Sequence, residues 1–376
     1  MFNCKEQLCC IFNYAPHYRF PIYKKMEETF PVHFYFGNCL FNNEQIEKLD
    51  YSKLCKFKKE LTVRSIHIFG RSIECTSGWL RLAVNSRYKQ FLITPNQYAL
   101  NQWLFLLLCF VLRKNVYVWM HGLRSKQIPR RALRIWKIYD YFVKGSFLYG
   151  NRAKENMIQL GFNPNKLHII YNSLDFEESK KIRNISLQNP YIGYFQNNYP
   201  VLIFIGRMTA VKKLYMISEA VKLLHKKGRN VNVVFIGDGP ERANLQKSMP
   251  DNLKERYWFV GSLYDECEIA KFLYYADLCV SPGNVGLTAI HAMSYGLPVI
   301  TNDNFEIQMP EFEAIEQEKT GDFFKENDIA DLADKIELWF VNNPNREIVR
   351  RRCYDVIDTK YNPDYQTNLL KEVMNL

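Results

Sequence analysis

Short apolar runs alternate with amphipathic stretches along the whole chain. Runs such as Val201–Ile205 are rich in β-branched and aromatic residues and end at glycine or another turn residue. Strands that alternate with helical stretches in this way are typical of parallel sheets with helical crossovers, so the pattern predicts an α/β fold. The predicted strands are 8–12, 32–36, 116–120, 201–205, 231–236, 258–261, 278–282 and 298–301, and the predicted helices are 22–30, 102–112, 216–227, 241–247, 287–296 and 363–374.

The alternation restarts after a polar, asparagine-rich stretch at 191–199, which Pro190 and Pro200 flank. Such a stretch is typical of a linker or an exposed loop. The chain is therefore predicted to form two doubly wound, Rossmann-like domains. We expect the first at 1–185, a linker at 186–199, the second at 200–356, and a last segment at 357–376 whose helix packs back on the first domain.

Composition narrows the class of protein. With 47% hydrophobic residues the chain is globular, and its longest apolar run, Trp103–Leu112, is shorter than the ~20 residues that span a bilayer. The first residues show no signal-peptide pattern, and the ten cysteines are scattered without a CxxC pair. These features predict reduced thiols and a cytoplasmic location.

Charge is divided unevenly along the chain. The net charge is +11, but residues 1–190 hold 29 basic and 13 acidic side chains, and residues 191–376 hold 21 and 26. Such an asymmetry indicates two domains with different partners.

Two features in the second half suit a phosphate ligand. Arg207, after a predicted strand, and Lys212 offer a planar fork of donors and a point charge, although solvated surface cations are the simpler interpretation. The run 283–288 (GNVGLT) opens a predicted helix, where free backbone N–H groups can bind an anion. At the same edge of one sheet, the two features make a plausible diphosphate site.

Other strand ends are open to two interpretations. The turn 237–240 (GDGP) is mainly a strand-to-helix connection, and its glycines also let a ligand approach the backbone. His121 follows a strand at the edge where α/β sheets bind ligands, but a buried structural histidine is about as plausible. His17 and Arg19, in the loop after the first strand, are in the same situation.

Several segments together resemble the retaining family 4 glycosyltransferases of the two-domain GT-B fold. The resemblance lies in 201–212 (VLIFIGRMTAVK), 235–245 (FIGDGPERANL), 258–261 and 276–300 (ADLCVSPGNVGLTAIHAMSYGLPVI), with further likeness at 160–161, 169–175 and 320–321. It is strong over about 160–340 and thin before that. The implied architecture is two Rossmann-like domains facing a cleft.

The resemblance also implies an activity and a set of site residues. A sugar would pass from a nucleotide-diphosphate sugar to a glycan or lipid-linked hydroxyl with retention of configuration, a transfer of the hexosyltransferase type, without metal or cofactor. The implied residues are Arg207, Lys212, Gly286, Leu287 and Thr288 for the donor diphosphate, Gly237 and His291 for the nucleotide and its ribose, Asn284 for the donor sugar, His121 for catalysis, and His17 and Arg19 for the acceptor.

The sequence departs from the family at two carboxylates. The family has two glutamates separated by seven residues, and this chain has Gly283 and His291 at those positions. His291 can still hydrogen-bond ribose hydroxyls. We expect Glu311 or Glu313, in the acidic loop after the next strand, to compensate at the donor sugar, although a solvated charged loop is at least as plausible.

Basic residues are densest over 113–144, where apolar and aromatic residues separate them. A solvated helix that packs its apolar stripe into the first domain explains this segment simply. Peripheral contact with the anionic inner surface of a membrane is the second interpretation, and nucleic-acid binding is not expected because no recognised motif is present.

These observations favour a glycosyltransferase of surface polysaccharide synthesis. A GT-B-shaped sugar-nucleotide epimerase is an alternative, and it requires acid and base carboxylates that the sequence does not identify. A catalytically silent sugar-nucleotide or glycan-binding protein is the third hypothesis, and the missing glutamate pair is its main support.

Overall fold

A computed structural model describes residues 7–38, 46–68, 71–123 and 125–376 of the chain. The chain divides into two compact units, unit 1 (Met1–Asp175 with Pro363–Leu376) and unit 2 (Phe176–Asn362). Residues 1–6, which bear on the signal-peptide prediction, and Arg124 of the basic segment lie outside the described residues. No helix in the described part of the chain is long and apolar enough to cross a membrane.

Unit 1 is built on a seven-stranded parallel sheet. Its strand order is β3-β2-β1-β6-β7-β8-β9. The strands are β1 (Gln7–Phe12), β2 (Val32–Gly37), β3 (Phe57–Leu61), β6 (Tyr88–Ile93), β7 (Asn115–Met120), β8 (Gly145–Leu148) and β9 (Leu167–Ile169). The helices are α1 (Phe20–Thr29), α2 (Trp79–Val84), α3 (Leu100–Val111), α4 (Arg130–Phe142) and α5 (Asn151–Gln159).

A β-hairpin interrupts the alternation of unit 1. Strands β4 (Val63–Ile68) and β5 (Arg71–Thr76) pair antiparallel as a separate two-stranded sheet. The hydrophobic pattern predicted neither strand. The hairpin also touches the rest of the unit, because the amide of Glu74 donates to the carbonyl of Tyr98 at 3.4 Å.

Unit 2 repeats the plan with a six-stranded parallel sheet. Its order is β12-β11-β10-β13-β14-β15. The strands are β10 (Val201–Ile205), β11 (Asn232–Ile236), β12 (Tyr257–Gly261), β13 (Leu278–Ser281), β14 (Val299–Asn302) and β15 (Gly321–Phe324). The helices are α6 (Phe176–Arg183), α7 (Tyr215–Lys226), α8 (Arg242–Ser248), α9 (Glu266–Tyr275), α10 (Thr288–Ser294), α11 (Ile329–Asn342) and α12 (Arg346–Lys360).

The central strands of both sheets are buried on both faces, as their continuous apolar sequences require. All five residues of β10 and of β11 are buried. Helices cover both faces of the unit 1 sheet, since its core residues form separate clusters: one contains Phe12, Phe34 and Phe36, and another contains Cys9, Phe91 and Phe105. The predicted α/β class and the two doubly wound domains are confirmed.

The last helix, α13 (Pro363–Met374), belongs to unit 1. Leu370 and Met374 are buried in the same core cluster as Phe12. The side chain of Gln366 accepts a hydrogen bond from the hydroxyl of Ser173 at 2.7 Å and donates to the carbonyl of Tyr171 at 3.0 Å.

The units divide at different residues from those expected. Unit 2 begins at Phe176, within the segment assigned to the first domain, because Arg183 donates to the carbonyl of Ser294 at 2.6 Å and pairs with Asp358 at 2.7 Å. The expected linker, 186–199, lies within unit 2. There the Tyr194 ring stacks on Trp258 with centroids 3.8 Å apart, which a free linker would not do.

Candidate functional site

The loops that follow β10 and β11 are held together by backbone contacts. The amide of Gly206 donates to the carbonyl of Ile236 at 3.0 Å, and the amide of Met208 donates to the carbonyl of Asp238 at 2.8 Å. A Cβ atom at Gly237 would lie 2.1 Å from the carbonyl oxygen of Gly206, and one at Gly239 would lie 2.3 Å from that of Met208. Gly237 therefore serves first to let these two loops meet at the carboxyl edge of the sheet.

Lys212 is fixed beside this edge. It ends a short 3-10 turn, and its Nζ donates to the carbonyl oxygen of Asn284 at 2.6 Å and to Asn284 Oδ1 at 2.9 Å. A lysine ammonium has three donors, and these two bonds use two of them. The structure thus joins Lys212 to the loop after β13, which contains Asn284 and Gly286.

The backbone around Lys212 explains why residue 283 is glycine. The amide of Gly283 donates to the carbonyl of Lys212 at 3.0 Å. A Cβ atom at Gly283 would lie 1.9 Å from the carbonyl oxygen of Val211 and 2.7 Å from the Cα of Lys212. No side chain, and so no glutamate, fits at this position in the present backbone.

Of the two acidic candidates in the loop after β14, Glu311 is the one next to Lys212. Its side chain lies in a 3-10 turn, Pro310–Ala314, and the residue is only 2% exposed, so it does not belong to a solvated loop. Burial lowers the pKa of Lys212, and the negative charge of Glu311 offsets part of that effect. Glu313 is only partly buried. The structure therefore separates two residues that the sequence treated as equivalent.

Arg207 and the segment 286–288 lie at the same edge. Arg207, directly after Gly206, is exposed. The hydroxyl of Thr288 donates to the carbonyl of Ile205 at 3.2 Å, which ties the start of α10 to the end of β10. Gly286 has a φ of 53°, a left-handed conformation that favours glycine, and Leu287 is the N-cap residue of α10. Since α10 has only seven residues, any anion here would depend on side-chain cations more than on a helix dipole.

His291 has a carboxylate partner that sequence reasoning missed. Its Nε2 lies 2.9 Å from Glu266 Oε1, and the hydroxyl of Tyr295 donates to the same oxygen at 2.6 Å. Burial raises the pKa of Glu266, but the hydrogen bonds from His291 and Tyr295 outweigh burial, so this pKa lies below its usual value. Glu266 begins a different helix, α9, and nothing in the local sequence links it to His291.

The candidates in unit 1 meet at an aromatic cluster formed by Trp119 and Tyr149. The guanidinium carbon of Arg19 lies 4.6 Å from the centroid of the Trp119 ring and 5.4 Å from that of Tyr149. The ring of His121 lies 4.7 Å from the same Tyr149 ring. The structure thus brings Arg19 and His121, which are 102 positions apart, to one side chain at the carboxyl edge of the unit 1 sheet. Tyr149 follows β8 directly, and that position was the signal that could have identified it.

His17 does not join this cluster. Its residue is exposed, its Nδ1 lies 3.3 Å from the carbonyl oxygen of Glu47, and its ring packs edge-on against Tyr18. Of the two acceptor-side candidates, only Arg19 lies against Tyr149, the ring that His121 also contacts.

Comparison with known proteins adds family information to this geometry. Residues 199–341 match the family model described as "Glycosyl transferases group 1". The sulfoquinovosyl transferase SQD2 of Arabidopsis thaliana is 31% identical over 157 residues, which are 40% of this chain and 28% of that protein. The poly(ribitol-phosphate) α-N-acetylglucosaminyltransferase of Staphylococcus aureus (strain COL) is 28% identical over 200 residues, 52% of this chain and 39% of that protein. This chain thus spans well under half of the length of these relatives.

Solved structures share the fold over nearly the whole chain. HepE of Anabaena, crystallised with UDP, superposes with a TM-score of 0.70 at 13% identity and covers 98% of this chain and 100% of its own. The lipopolysaccharide outer core galactosyltransferase WaaB gives 0.68 at 14% identity, with 98% and 99% coverage. At such identities the likeness concerns the fold, which is GT-B. The resemblance inferred from the sequence is confirmed at two levels: this chain has the GT-B fold, and residues 199–341 of its second unit match the glycosyl transferases group 1 model.

Proposed function

We propose that this protein is a glycosyltransferase that takes a sugar from a nucleotide-diphosphate sugar and transfers it to a glycan or lipid-linked hydroxyl with retention of configuration. The observation that carries the proposal is the position of Lys212. It is a desolvated ammonium, fixed by Asn284 at the carboxyl edge of the unit 2 sheet, in the segment that matches the family. A cation that protein bonds hold in place before the ligand arrives suits a diphosphate.

The chemistry assigned to this edge is stabilisation of the leaving group. As the sugar–oxygen bond breaks, negative charge grows on the departing diphosphate. The third N–H donor of Lys212 and the guanidinium of Arg207 would meet that charge, and the backbone at Gly286, Leu287 and Thr288 would cap it. Because Asn284 already holds Lys212, this cation need not be reoriented at the moment of reaction, so the site suits phosphate departure.

The remaining donor contacts follow from the pairs described above. We assign Glu311 and Asn284 to the donor sugar, since Asn284 accepts a hydrogen bond from Lys212 and the charge of Glu311 acts on Lys212. The ribose is assigned to His291, oriented by Glu266, with Gly237 allowing the nucleotide to approach. Glu313 is a weaker candidate for the sugar because it is less buried. Metal independence and the absence of a cofactor are part of the proposal and come from the family resemblance.

For the acceptor side we assign Arg19 and His17 to acceptor contacts and His121 to the reaction itself. The contacts of the Arg19 guanidinium with the Trp119 and Tyr149 rings, and the proximity of His121 to Tyr149, support the grouping of Arg19 with His121. The assignment of His17 rests on the sequence alone. The named relatives include an enzyme acting on poly(ribitol-phosphate) and a structure of a lipopolysaccharide galactosyltransferase. We accordingly propose a surface polysaccharide as the product class.

We also propose that unit 1 contacts an anionic membrane peripherally. Helix α3 is mostly apolar, and Leu100, Leu104, Leu107 and Val111 form a solvent-exposed stripe along it. An apolar helix face of this kind marks an interaction surface. The rings of Phe110 and Tyr141, 5.8 Å apart, connect the stripe to α4, where Arg131, Arg134 and Lys137 are exposed. Apolar side chains flanked by cations match a bilayer with anionic headgroups.

Structure also tests the simpler interpretation of the basic segment. Helix α4 does pack into unit 1, through Tyr139 and the partly buried Leu133 and Trp136. However, Ile135, Ile138 and Tyr141 stay exposed on it. Packing within the unit therefore accounts for only one side of the helix, and the membrane proposal addresses the other.

A donor panel with two lysine variants tests the main proposal. Purified protein is mixed with UDP-, GDP- and dTDP-sugars, and thermal shift and product formation are measured. At least one donor is expected to raise the melting temperature and to be hydrolysed slowly without acceptor, because a ligand of the folded state stabilises it. Lys212→Met should lower the rate by roughly 100-fold or more, as loss of one preorganised donor typically does.

Lys226→Met provides the matched control, since Lys226 is an exposed lysine at the end of α7 in the same unit. Its rates should equal those of the unmodified protein. Interconversion of the donor sugar would instead identify an epimerase, and tight binding without turnover would identify a silent binder. The absence of a thermal shift with every nucleotide diphosphate would contradict the proposal, and the anomeric configuration of the product, measured by NMR, tests retention.

A further inference from the structure

A pocket lies where the strand order of the unit 1 sheet reverses. Strands β2 and β3 follow β1 on one side of it in the sheet, and β6 pairs with β1 on the other side. The loops that leave β1 and β6 therefore diverge. Residues 11–13 and 94–96, at the carboxyl ends of these two strands, line a pocket of about 400 Å³. In open α/β sheets this reversal point is where ligands bind, and the volume is in the range of small-molecule sites.

The hairpin contributes a carboxylate to this pocket. Glu74, on β5, lines it and is 9% exposed. Asn96 Nδ2 donates to Glu74 Oε2 at 2.7 Å, and burial raises the pKa of this carboxyl. No Lys, Arg or His side chain that the structure describes forms an ion pair with Glu74. A carboxylate with a single amide donor keeps most of its acceptor capacity for another partner.

The neighbours of Glu74 fix its surroundings. The amide of Asn96 donates to Gln102 Oε1 at 2.6 Å, and Gln102 Nε2 donates to the carbonyl of Thr94 at 3.0 Å. The hydroxyl of Tyr139 also donates to Gln102 Oε1, at 2.6 Å. These bonds hold the loop after β6 in place, so the polar side of the pocket exists before any ligand arrives.

Aromatic rings form the apolar part of the pocket lining. Trp79 and Tyr98 line it, and Tyr98 is 65% exposed at the surface. A carboxylate and amides beside aromatic rings suit a ligand that has hydroxyl donors around its edge and apolar C–H faces. A second negative charge is disfavoured here, because Glu74 would repel it in a site of low dielectric.

We infer that this pocket binds one uncharged, hydroxyl-rich sugar ring, which is the acceptor residue of the transfer reaction. In its acceptor role the inference rests on the proposed function. Glu74 accepts hydrogen bonds from ring hydroxyls, Asn96 orients Glu74, and the rings of Trp79 and Tyr98 cover the apolar face. The sheet supports this role, because β7 pairs with β6 and leads into His121, so the loop containing Asn96 and the one containing His121 leave neighbouring strands.

Direct binding tests the inference without a donor. Saturation-transfer NMR and titration are performed on the full chain with methyl α-glucoside, methyl β-galactoside and methyl N-acetyl-α-glucosaminide, and with methyl glucuronide as the anionic probe. At least one neutral glycoside should bind saturably and the glucuronide should not. Glu74→Gln should weaken binding about tenfold, because the amide cannot make charge-assisted bonds to hydroxyls.

Two further variants separate recognition from folding. Tyr98→Ala removes an exposed ring, so the fold is retained, and binding should weaken several-fold. Glu155→Gln neutralises an exposed carboxylate on α5 of the same unit and should leave binding unchanged. The inference would be overturned if no neutral glycoside binds. It would also be overturned if the Glu74→Gln and Tyr98→Ala proteins bind the glycoside as tightly as the unmodified protein does.

The same samples distinguish this inference from the proposed function. Thermal shift with UDP, GDP and dTDP reports on unit 2 independently. Nucleotide shifts without glycoside binding would overturn the sugar pocket and leave the transferase proposal intact. Glycoside binding that depends on Glu74, without any nucleotide shift, would confirm the sugar pocket and overturn the transferase proposal together with the acceptor role.

Discussion

At the scale of single residues, the two positions that depart from the family have different physical causes. Gly283 is dictated by the backbone of Val211 and Lys212, which leaves no room for a Cβ atom. His291 is matched to Glu266, which supplies a carboxylate from another helix at 2.9 Å. The surrounding structure is therefore matched to glycine at 283 and histidine at 291, and neither change from glutamate is an isolated replacement.

Restoring the family motif should consequently harm the protein. Gly283→Glu forces the loop of Lys212 to move, and His291→Glu places a second carboxylate against Glu266, with like charges in a partly buried site. We expect each variant to lose donor-induced thermal stabilisation and to destabilise the fold by about 1–3 kcal/mol.

Thermal shift with the best nucleotide of the donor panel and urea unfolding measure these two effects. His225→Glu is the control for His291→Glu, because His225 lies at the end of α7 and contacts Asn230. A Gly283→Glu protein with unchanged donor binding would refute the account given for that glycine.

His33 should make the stability of the fold depend on pH. The residue is buried, and its Nδ1 lies 2.8 Å from the hydroxyl of Tyr88. Burial, together with the positive charges of Lys58, Arg87 and Lys56, lowers the pKa of His33 to about 4. Since the unfolded chain has a histidine pKa near 6.5, it takes up the proton first as the pH falls.

The contribution of neutral His33 is thus complete above pH 6.5 and is lost between pH 6.5 and about 4, by at most ~3 kcal/mol. Urea unfolding from pH 7.5 to 4.5 measures it. In His33→Gln, which cannot titrate, the loss over this range should be smaller than in the unmodified protein. An equal loss in both proteins would show that His33 does not carry the effect.

At the scale of elements, the hydrophobic pattern predicted several helices and every strand of the unit 2 sheet except the edge strand β15. In the unit 1 sheet it predicted β1, β2 and β7 and missed the inner strands β6 and β8 and the edge strands β3 and β9. The strands β10, β11 and β13 were identified because they are buried on both faces and are continuously apolar. Strand β3 alternates irregularly (FKKEL) and lies at the sheet edge, so its sequence lacks that signal.

The residues of the candidate site also divide into those that the sequence identified and those that it did not. Arg207 and His121 could be named because they come at the ends of strands, and Lys212 because it lies five residues after Arg207 in the same loop; chain order fixes which edge such loops occupy. Glu266, Trp119 and Glu74 could not be placed in the site, because their roles arise from contacts with residues 22 or more positions away. Sequence periodicity does not report such contacts.

The exposed stripe of α3 gives the prediction that belongs to this scale. In Leu104→Ser/Leu107→Ser, two half-exposed leucines no longer contribute apolar area to membrane contact, worth about 1 kcal/mol or more each. Binding to vesicles of phosphatidylcholine and phosphatidylglycerol should fall at least tenfold, as measured by co-sedimentation.

Two comparisons complete this experiment. Leu338→Ser, an exposed leucine on α11 of unit 2, should leave vesicle binding unchanged. Added salt should weaken binding of the unmodified protein because the cations of α4 are exposed and screened. If the unmodified protein fails to sediment with anionic vesicles, the membrane proposal is wrong.

At the scale of the whole molecule, the return of the chain to unit 1 should be measurable as stability. Leu370 is fully buried in the core cluster of unit 1, and Asp364 pairs with Lys25 of α1 at 2.5 Å. Leu370→Ala should destabilise unit 1 by about 2–5 kcal/mol, the usual effect of a buried leucine-to-alanine change.

Chemical unfolding monitored by limited proteolysis tests this prediction unit by unit. The thermal shift caused by nucleotides in unit 2 should persist in the Leu370→Ala protein. Glu372→Ala, at an exposed position of the same helix, should change stability by less than about 0.5 kcal/mol. Equal stability of the Leu370→Ala and Glu372→Ala proteins would contradict the role given to α13.

The path of the chain through the two units also has a consequence during synthesis. The strands of the unit 1 sheet leave the ribosome first, but α13, whose Leu370 and Met374 complete one of its core clusters, is made only after all of unit 2. Domains generally fold as units while the chain is still being made. Unit 1 therefore keeps an apolar surface uncovered until the chain beyond unit 2 has been made, and this nascent half is where a chaperone would be needed.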